Sequence, residues 1–301
     1  MFGQFQICFV KNPLEPQAPN LPSTQTRRNA LRLISAGVIG SLVDGCWLEP
    51  SHLSISRQDI TCRQLPAGPD GLRIGLLADF HYRPNWDSAL MDKVVAQVGR
   101  ENLDLITLAG DFMSKDPRVI PPLLSHIGKI QARHGVFAVL GNHDGWNVNP
   151  AWLQRQFEKV GVSFLINQHR LLSIRGESLV VAGSDFVWFG APDPAKMLKG
   201  VNADMPVLAL VHEPDYFDTL TRHREIQLQV SGHTHGGQCR VPLVDYAPKT
   251  VKYGSKYVYG SFRRGDSNLF VTRGVGTTGP RVRFACPPEL AVLTLRATPE
   301  T

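Results

Sequence analysis

Two histidines one residue apart, His233 and His235, stand in a glycine-rich loop that follows a short apolar run at residues 226–230. Imidazole is the commonest nitrogen ligand for transition metals in proteins, and glycine lets an ion approach the backbone closely. A His-x-His pair alone is weak evidence for a metal, because such pairs are more often solvated or hydrogen-bonded. Its interpretation depends on which other metal-ligating residues the chain brings to the same place.

Further residues of metal-ligating types stand at the ends of other apolar runs, and the complete candidate set is Asp79, His81, Asp111, Asn142, His143, Asp144, His212, His233 and His235. This set is larger than one metal needs, whereas two divalent ions about 3.5–4 Å apart that share a bridging carboxylate would use most of it. Mixed oxygen and imidazole donors suit Mn, Fe or Zn. Such a pair binds a phosphate oxygen and activates water, which is the chemistry of attack on phosphorus. Glu213 and Cys239 are predicted not to be ligands.

Strand and helix patterns alternate through the first half of the chain. Apolar runs at 72–78, 103–109 and 135–140 predict buried strands, and the spacing at 86–99 and 119–132 predicts helices between them. This alternation favours right-handed βαβ units and a parallel sheet. Open α/β sheets bind ligands at the carboxyl ends of their strands, which is where the acidic and imidazole groups stand.

The second half has a different pattern, with short predicted strands close together at 161–167, 171–174, 178–184, 207–212, 226–230, 257–259, 268–272 and 290–295. The fold class predicted from both halves is α/β, with two stacked mixed β-sheets flanked by helices. We expect a single domain from about residue 55 to residue 298. Hydrophobic residues make up 43% of the 301 residues, which is enough to form the buried core of a domain of this size.

The ordered candidate residues resemble those of the calcineurin-like metallophosphoesterases, over roughly residues 70–296. The matching blocks are Asp79-x-His81, Gly110-Asp111, Gly141-Asn142-His143-Asp144, His212 and Gly232-His233-x-His235. The resemblance implies the phosphoesterase sandwich of that family. It also implies an enzyme that hydrolyses a phosphodiester or pyrophosphate bond by attack of a hydroxide bridging two metals.

The resemblance assigns a role to each residue of the set. One metal would be held by Asp79, His81 and His235, the other by Asn142, His212 and His233, with Asp111 bridging both. In the catalytic roles, His143 would act as the general acid that protonates the leaving oxygen, and Asp144 would hydrogen-bond to His143 and orient it.

Downstream segments resemble one bacterial group of exported or membrane-associated phosphoesterases, in the residues 236–238, 252–257, 273–278 and 286–289. One relative in that group cleaves the pyrophosphate of UDP-2,3-diacylglucosamine, a lipid A precursor. The implied substrate is therefore an anionic phosphate ester, which a lipid-linked nucleotide of this kind would satisfy. The alternatives are a phosphomonoesterase acting on cell-wall or other phosphate esters, and a non-catalytic metal-binding scaffold. No nucleic-acid partner is expected, because no accessory nucleic-acid module is visible.

The first 50 residues read as a disordered segment followed by a targeting signal or anchor. Arg27 and Arg28 precede an apolar run at 33–43 and resemble a twin-arginine export signal. The run is shorter than the roughly 20 apolar residues of a typical transmembrane helix, and it suits a secretory signal. An amphipathic helix docked on the domain is the alternative. We expect an exported or membrane-anchored protein of a bacterial periplasm, membrane or cell wall, with the cytoplasmic membrane face also open.

The C-terminal part of the chain is basic. Nine lysines and arginines and two acidic residues lie between Arg240 and Arg283, within a chain of net charge +6. They form either a solvated face or a wall for an anionic substrate or an anionic membrane, so peripheral membrane contact is one partner class to test. Arg281 and Arg283 are the positions at which the wall hypothesis would be tested. The interleaved tyrosines Tyr246, Tyr253, Tyr257 and Tyr259 would either stack on a nucleobase or belong to the core.

Overall fold

The computed structural model describes residues 24–63, 65–241 and 251–298, apart from the side chains of Thr24 and Arg27. The chain divides into two units, Met1–Leu42 and Val43–Thr301. Helix α1 (Thr24–Val43) is the helix described in the first unit, and the second unit holds the sheets and the other helices. Most of the segment expected to be disordered lies outside the described residues.

The first sheet has six strands among the described residues. Their bounds are β1 (Ser54–Cys62), β2 (Arg73–Leu77), β3 (Leu105–Leu108), β4 (Val136–Ala138), β5 (Val162–Phe164) and β12 (Glu289–Ala297). The strand order is β1-β12-β2-β3-β4-β5. Strands β2 to β5 run parallel to one another, whereas β12 is antiparallel to β2 and parallel to β1.

The second sheet also has six described strands. They are β6 (Gln168–Ile174), β7 (Glu177–Gly183), β8 (Val207–Leu210), β9 (Leu228–Ser231), β10 (Gly260–Arg264) and β11 (Ser267–Val271). The order β10-β11-β9-β8-β7-β6 places parallel strands in the centre and an antiparallel pair at each edge. Every residue of the central strands β8 and β9 is buried, as expected for strands that are covered on both faces.

The two sheets stack on a shared core, and helices cover their outer faces. Leu76 and Leu293 of the first sheet lie in one buried cluster with Val181 and Leu210 of the second. The helices are α2 (Pro84–Val98), α3 (Ile120–Ile127), α4 (Asn142–Asn147), α5 (Pro150–Glu158), α6 (Pro194–Met197) and α7 (Phe217–His223). Helices α2, α3 and α5 pack on the first sheet, and α6 and α7 pack on the second. The predicted pair of stacked mixed sheets flanked by helices is confirmed.

Two local predictions differ from the structure. Strand β1 was missed, because its sequence carries exposed charged residues and it pairs only with β12, a partner more than 200 residues away. Residues 257–259 were predicted as a strand but lie in irregular structure. Tyr257 there packs against Phe217 and Phe262 instead, so its ring belongs to the core.

The N-terminal helix is longer than the apolar run suggested. A helical stretch from Arg28 to Ser51 has 24 residues and contains an 18-residue window with a mean hydropathy of 1.4. By length and composition alone this stretch could cross a membrane, whereas the apolar run 33–43 within it is shorter than a typical span. A signal sequence meets the same criterion. The helix extends beyond the run at both ends, which the apolar residues alone did not indicate.

The two arginines named for the basic wall are not surface cations. Arg283 is fully buried and donates hydrogen bonds to the backbone carbonyls of Gly274, Gly276 and Cys286. Arg281 is 14% exposed and donates to the carbonyl of Cys46. The wall hypothesis is therefore wrong at Arg283, because an interior guanidinium that organises backbone carbonyls cannot meet a ligand at the surface.

We expect Arg283→Ala to lower the free energy of unfolding by about 2–4 kcal/mol, because several buried carbonyls would lose their donor. The matched control is Arg263→Ala, since Arg263 is 53% exposed and pairs with Asp266 at the surface. That control should change stability by less than about 0.5 kcal/mol. Urea unfolding of both variants is the measurement, and equal stabilities would contradict the structural role of Arg283.

Candidate metal centre

The predicted site residues stand where the parallel strands of both sheets end. In the first sheet, β2 leads to Asp79 and His81, β3 to Asp111, and β4 to Asn142, His143 and Asp144 at the start of α4. In the second sheet, β8 leads to His212, and β9 leads to His233 and His235. The carboxyl ends of both sets of strands meet at one edge of the sandwich, which is the ligand-binding edge of such sheets.

The side-chain atoms of these residues converge on the carboxylate of Asp111. Its Oδ2 lies 3.4 Å from His81 Nε2 and 3.3 Å from His212 Nε2. His233 Nδ1 lies 3.3 Å from His212 Nε2, and His235 Nε2 lies 3.8 Å from Asp79 Oδ1. Three groups have ligand atoms within 4.8 Å of one another, namely Asp79 with His81 and His235, His81 with Asp111 and His143, and Asp111 with His212 and His233.

The outer ring nitrogens of the histidines have defined partners, and these assign the tautomers. His212 Nδ1–H donates to the carbonyl of Ala109 at 2.6 Å, and His233 Nε2–H donates to the carbonyl of Lys252 at 2.7 Å. His143 Nδ1–H donates to the carbonyl of Ser114 at 3.0 Å. In His212 and His233 the other ring nitrogen faces the cluster, which is the orientation of histidines that bind metals.

The backbone at the site is strained. Five of the nine predicted site residues have positive φ angles of 38–73°, a region that non-glycine residues seldom adopt; they are Asp79, His81, Asp111, His233 and His235. Each such residue costs on the order of 1–3 kcal/mol and persists only where its surroundings fix it. Here the loops are fixed to one another, because His233 N–H donates to Asp79 Oδ1 and His143 N–H donates to Asp111 Oδ1.

Gly141 shows why the loops need glycine. A Cβ at this position would overlap the carboxylate and the backbone nitrogen of Asp111. The close approach lets the 141–144 turn fold directly over Asp111. The glycines of the sequence blocks are thus part of the geometry that positions the carboxylate.

Burial and neighbouring charges set the protonation states of the imidazoles and of the Asp111 carboxylate at the site. Burial lowers the pKa values of His81 and His235, and it lowers the pKa of His233 to about 3, so these imidazoles are neutral near pH 7. Burial raises the pKa of Asp111, but the charge of His212 outweighs it and holds that pKa well below its usual range. Neutral imidazoles beside an ionised carboxylate are the protonation states that bind a divalent metal.

Two buried polar atoms at the centre fit a metal. Asn142 Oδ1 and His81 Nε2 are buried and have no hydrogen-bond partner among the described residues. Buried polar atoms are nearly always paired, and an unpaired amide oxygen beside a carboxylate and imidazoles is a donor that a divalent ion would satisfy. The donor set is complete for two divalent ions of the first transition row. The residues present therefore fit the metal pair that the sequence implied.

Asp144 does not orient His143 as the sequence resemblance suggested. Its carboxylate accepts hydrogen bonds from the backbone N–H groups of Gly141, Phe112 and Met113. The ring of His143 is held by Ser114 instead, so the expectation of a direct hydrogen bond was wrong. Asp144 has a different effect, because it fastens the turn after Asp111 to the start of α4.

Ser114 was missed by the sequence analysis. Its carbonyl accepts from His143 Nδ1, and its hydroxyl lies 3.0 Å from His81 Nδ1. One residue thereby fixes two imidazoles of the site. No signal in the residue spacing singles it out, since its position three residues after Asp111 is an ordinary loop position. Glu213 and Cys239 are absent from the groups of candidate ligands among the described residues.

We expect the metal-free protein to lose stability as the pH rises from 6.5 to 8.5. Burial raises the pKa of Asp79 from 3.8 to about 7 and that of Asp144 to about 8, so the folded state holds protons that the unfolded chain has released. Stability from such groups is complete below pH 3.8 and is lost as the pH rises through their folded pKa values. The neutral histidines act in the opposite direction, but only below pH 6.5.

Urea unfolding at pH 6.5, 7.5 and 8.5 in chelator is the measurement, with a slope of about 1 kcal/mol per pH unit expected. Divalent metal should flatten or reverse this trend, because the metal requires ionised carboxylates. Greater stability of the metal-free protein at pH 8.5 than at pH 6.5 would show that the buried carboxyl groups do not retain their protons.

Comparison with known proteins agrees with this geometry. The family described as calcineurin-like phosphoesterase matches residues 72–237. The uncharacterized metallophosphoesterase YkuE of Bacillus subtilis (strain 168) is 29% identical over 290 residues, which is 90% of this chain and 99% of the relative. The phosphodiesterase YaeI of Escherichia coli (strain K12) is 30% identical over 283 residues, again 90% of this chain and 99% of the relative.

A crystal structure of a dimetal phosphatase from Danio rerio aligns with a TM-score of 0.44 at 13% identity, over 70% of this chain and 90% of that chain. The family match covers more than half of the sequence and includes every residue of the proposed metal centre. The chain therefore belongs to the calcineurin-like phosphoesterase family and is a metal-dependent hydrolase of phosphate esters.

Proposed function

We propose that the chain hydrolyses a phosphodiester or pyrophosphate bond with two divalent ions, of Mn, Fe or Zn. One ion would be held by Asp79, His81 and His235, and the other by Asn142, His212 and His233, with Asp111 shared. The observation that carries this proposal is the position of Asp111 Oδ2, within 3.4 Å of a nitrogen from each group. A carboxylate between two sets of donors is the arrangement of a bridging ligand.

When bound, the two ions would supply Lewis-acid activation of water and of the phosphate oxygens. The protein's own residues hold the reacting groups and the proton. His143 is half-buried, and its Nδ1–H is fixed on the Ser114 carbonyl, so Nε2 is the nitrogen that can give a proton to the leaving oxygen. Its ring meets the His81 ring edge-on at 4.8 Å, which places the acid beside the metal ligands.

The bond that is cleaved is proposed to be a diester or pyrophosphate rather than a monoester. The relative from Escherichia coli, which aligns over 90% of this chain, is named a phosphodiesterase. A phosphomonoesterase acting on cell-wall or other phosphate esters is the alternative. A non-catalytic scaffold is disfavoured, because every position of the ligand set carries a ligating side chain and His143 is in place beside it.

The substrate is proposed to be a lipid-linked nucleotide, for which UDP-2,3-diacylglucosamine is the candidate that the sequence resemblance supplies. The location proposed with it is the cell envelope, where the chain is exported or anchored. The adjacent arginines and the apolar stretch from Arg28 to Ser51 support this placement. The side chain of Arg27 lies outside what the structure describes.

We expect His143→Ala to lower kcat by about 10²–10⁴-fold on alkyl esters, whose leaving oxygen needs a proton. On nitrophenyl esters, whose leaving group needs no proton, kcat should fall far less. Both metals should remain bound, because His143 Nδ1 is held by a carbonyl outside the two ligand sets. His223→Ala on the exposed end of α7 is the matched control. Kinetics on both ester classes and metal analysis are the measurements, and equal losses on the two classes would contradict the acid role.

The substrate proposal is tested by phosphorus NMR of UDP-2,3-diacylglucosamine mixed with the full chain in detergent. We expect UMP and a lipid 1-phosphate to appear with Mn and not with chelator, because cleavage needs the metal pair. An unchanged spectrum from protein that still cleaves a nitrophenyl diester would reject this substrate and retain the phosphodiesterase. Protein that cleaves only nitrophenyl monoesters would support the monoesterase instead.

A further inference from the structure

Three aromatic side chains and one lysine border the candidate metal centre. This aromatic rim consists of Trp146, Trp188, Phe189 and Lys252. The Trp146 ring lies 5.1 Å from the ring of His143 and meets the Trp188 ring edge-on at 4.9 Å. Trp188 in turn lies 6.2 Å from His233 and 6.3 Å from Phe189. The rim is therefore continuous from the proposed general acid to an exposed phenylalanine.

The loop of residues 185–193, which carries Trp188 and Phe189 of the rim, is fixed in place by buried polar groups. Glu213 is fully buried, and its two carboxylate oxygens accept hydrogen bonds from the N–H groups of Val187 and Trp188, each at 2.9 Å. The side-chain oxygen of Asn167 accepts from Asp185 N–H and from Asp193 N–H, so both ends of the loop are joined. The loop is thus a rigid platform.

Helix α4 is held against the same loop. A Cβ at Gly145 would overlap the ring of Phe186, so only glycine allows the helix to approach this closely. The approach brings Trp146 within reach of the loop, where its indole N–H donates to the carbonyl of Trp188 at 3.0 Å. Because that N–H is already used, the Trp146 ring offers apolar surface to anything that binds beside it.

Phe189 is presented to solvent at the tip of this platform. It is 81% exposed, and its φ of 72° is unusual for a bulky residue. Both the positive φ and the exposure of a large apolar ring to water are unfavourable, and strained positions of this kind cluster at sites that bind ligands. Lys252 Nζ lies 5.8 Å from the centre of that ring, so a cation stands beside the apolar surface.

We propose that the aromatic rim binds the apolar alcohol portion of the phosphate ester and so determines which substrates this enzyme accepts. Trp146 contacts His143, so a group whose oxygen receives the proton from His143 lies next to the rim. Lys252 complements the charge of the phosphate, while the rings contact the apolar chain. This inference rests on the proposed function and names the substrate class of the same site, a phosphate ester of an apolar alcohol.

The test is isothermal titration of the metal-loaded full chain with methyl phosphate, octyl phosphate and UMP, which requires no turnover. Octyl phosphate should bind at least about tenfold more tightly than methyl phosphate, since each buried methylene contributes up to roughly fourfold. Phe189→Ala should reduce that ratio several-fold, and Phe189→Leu should keep most of it. Leu171→Ala is the matched control, because Leu171 is a 57% exposed apolar residue of β6 outside the rim.

Equal affinities for methyl and octyl phosphate in the wild-type chain would overturn the proposal. An unchanged ratio in Phe189→Ala would overturn it as well. Tighter binding of UMP without a gain for octyl phosphate would replace it with stacking on a nucleobase. Failure of the proposed function has a different signature, which is tight binding of octyl phosphate by a metal-loaded chain that hydrolyses neither diesters nor monoesters.

Discussion

The carboxylate of Asp111 is the point on which the site depends. It is buried, it contacts imidazoles delivered by both sheets, and it accepts the backbone N–H of His143. A buried charge of this kind is costly unless it is neutralised, and in the metal-free site His212 does so, since its proximity to Asp111 raises its pKa despite burial. Metal ions would take over that role. At the site, Asp111 from the first sheet and His212 from the second are therefore linked by the need to neutralise one buried charge.

The gathering of ligand groups around Asp111 explains the positive φ angles of the loops near it. Several oxygen and nitrogen donors must approach one small volume from the ends of different strands, and ordinary β or helical dihedral angles do not turn the chain sharply enough. Positive φ at Asp79 and Asp111, and the absence of a side chain at Gly141, supply the turn. The hydrogen bonds between the loops then hold the strain, and rigid loops keep donors pre-positioned for a ligand.

The sequence predicted the sandwich and the candidate residues because both leave local patterns. Asp79 directly follows an apolar run and His233 stands three residues after another, and such runs identify strands and hence the edge at which ligand groups meet. It did not predict β1, Ser114 or the interior position of Arg283. Each depends on a contact between distant segments, such as the parallel pairing of β1 with β12, and neither composition nor spacing records such contacts.

Two consecutive residues serve the metal centre and the Trp188 part of the rim. His212 and Glu213 are consecutive, and both are buried. The imidazole faces Asp111, whereas the carboxylate holds the backbone of Val187 and Trp188. Burial raises the pKa of Glu213, and two backbone donors offset part of that cost, which makes the loop attachment expensive to break. The proposed metal ligand His212 and the residue that anchors the Trp188 backbone are therefore adjacent at the end of β8.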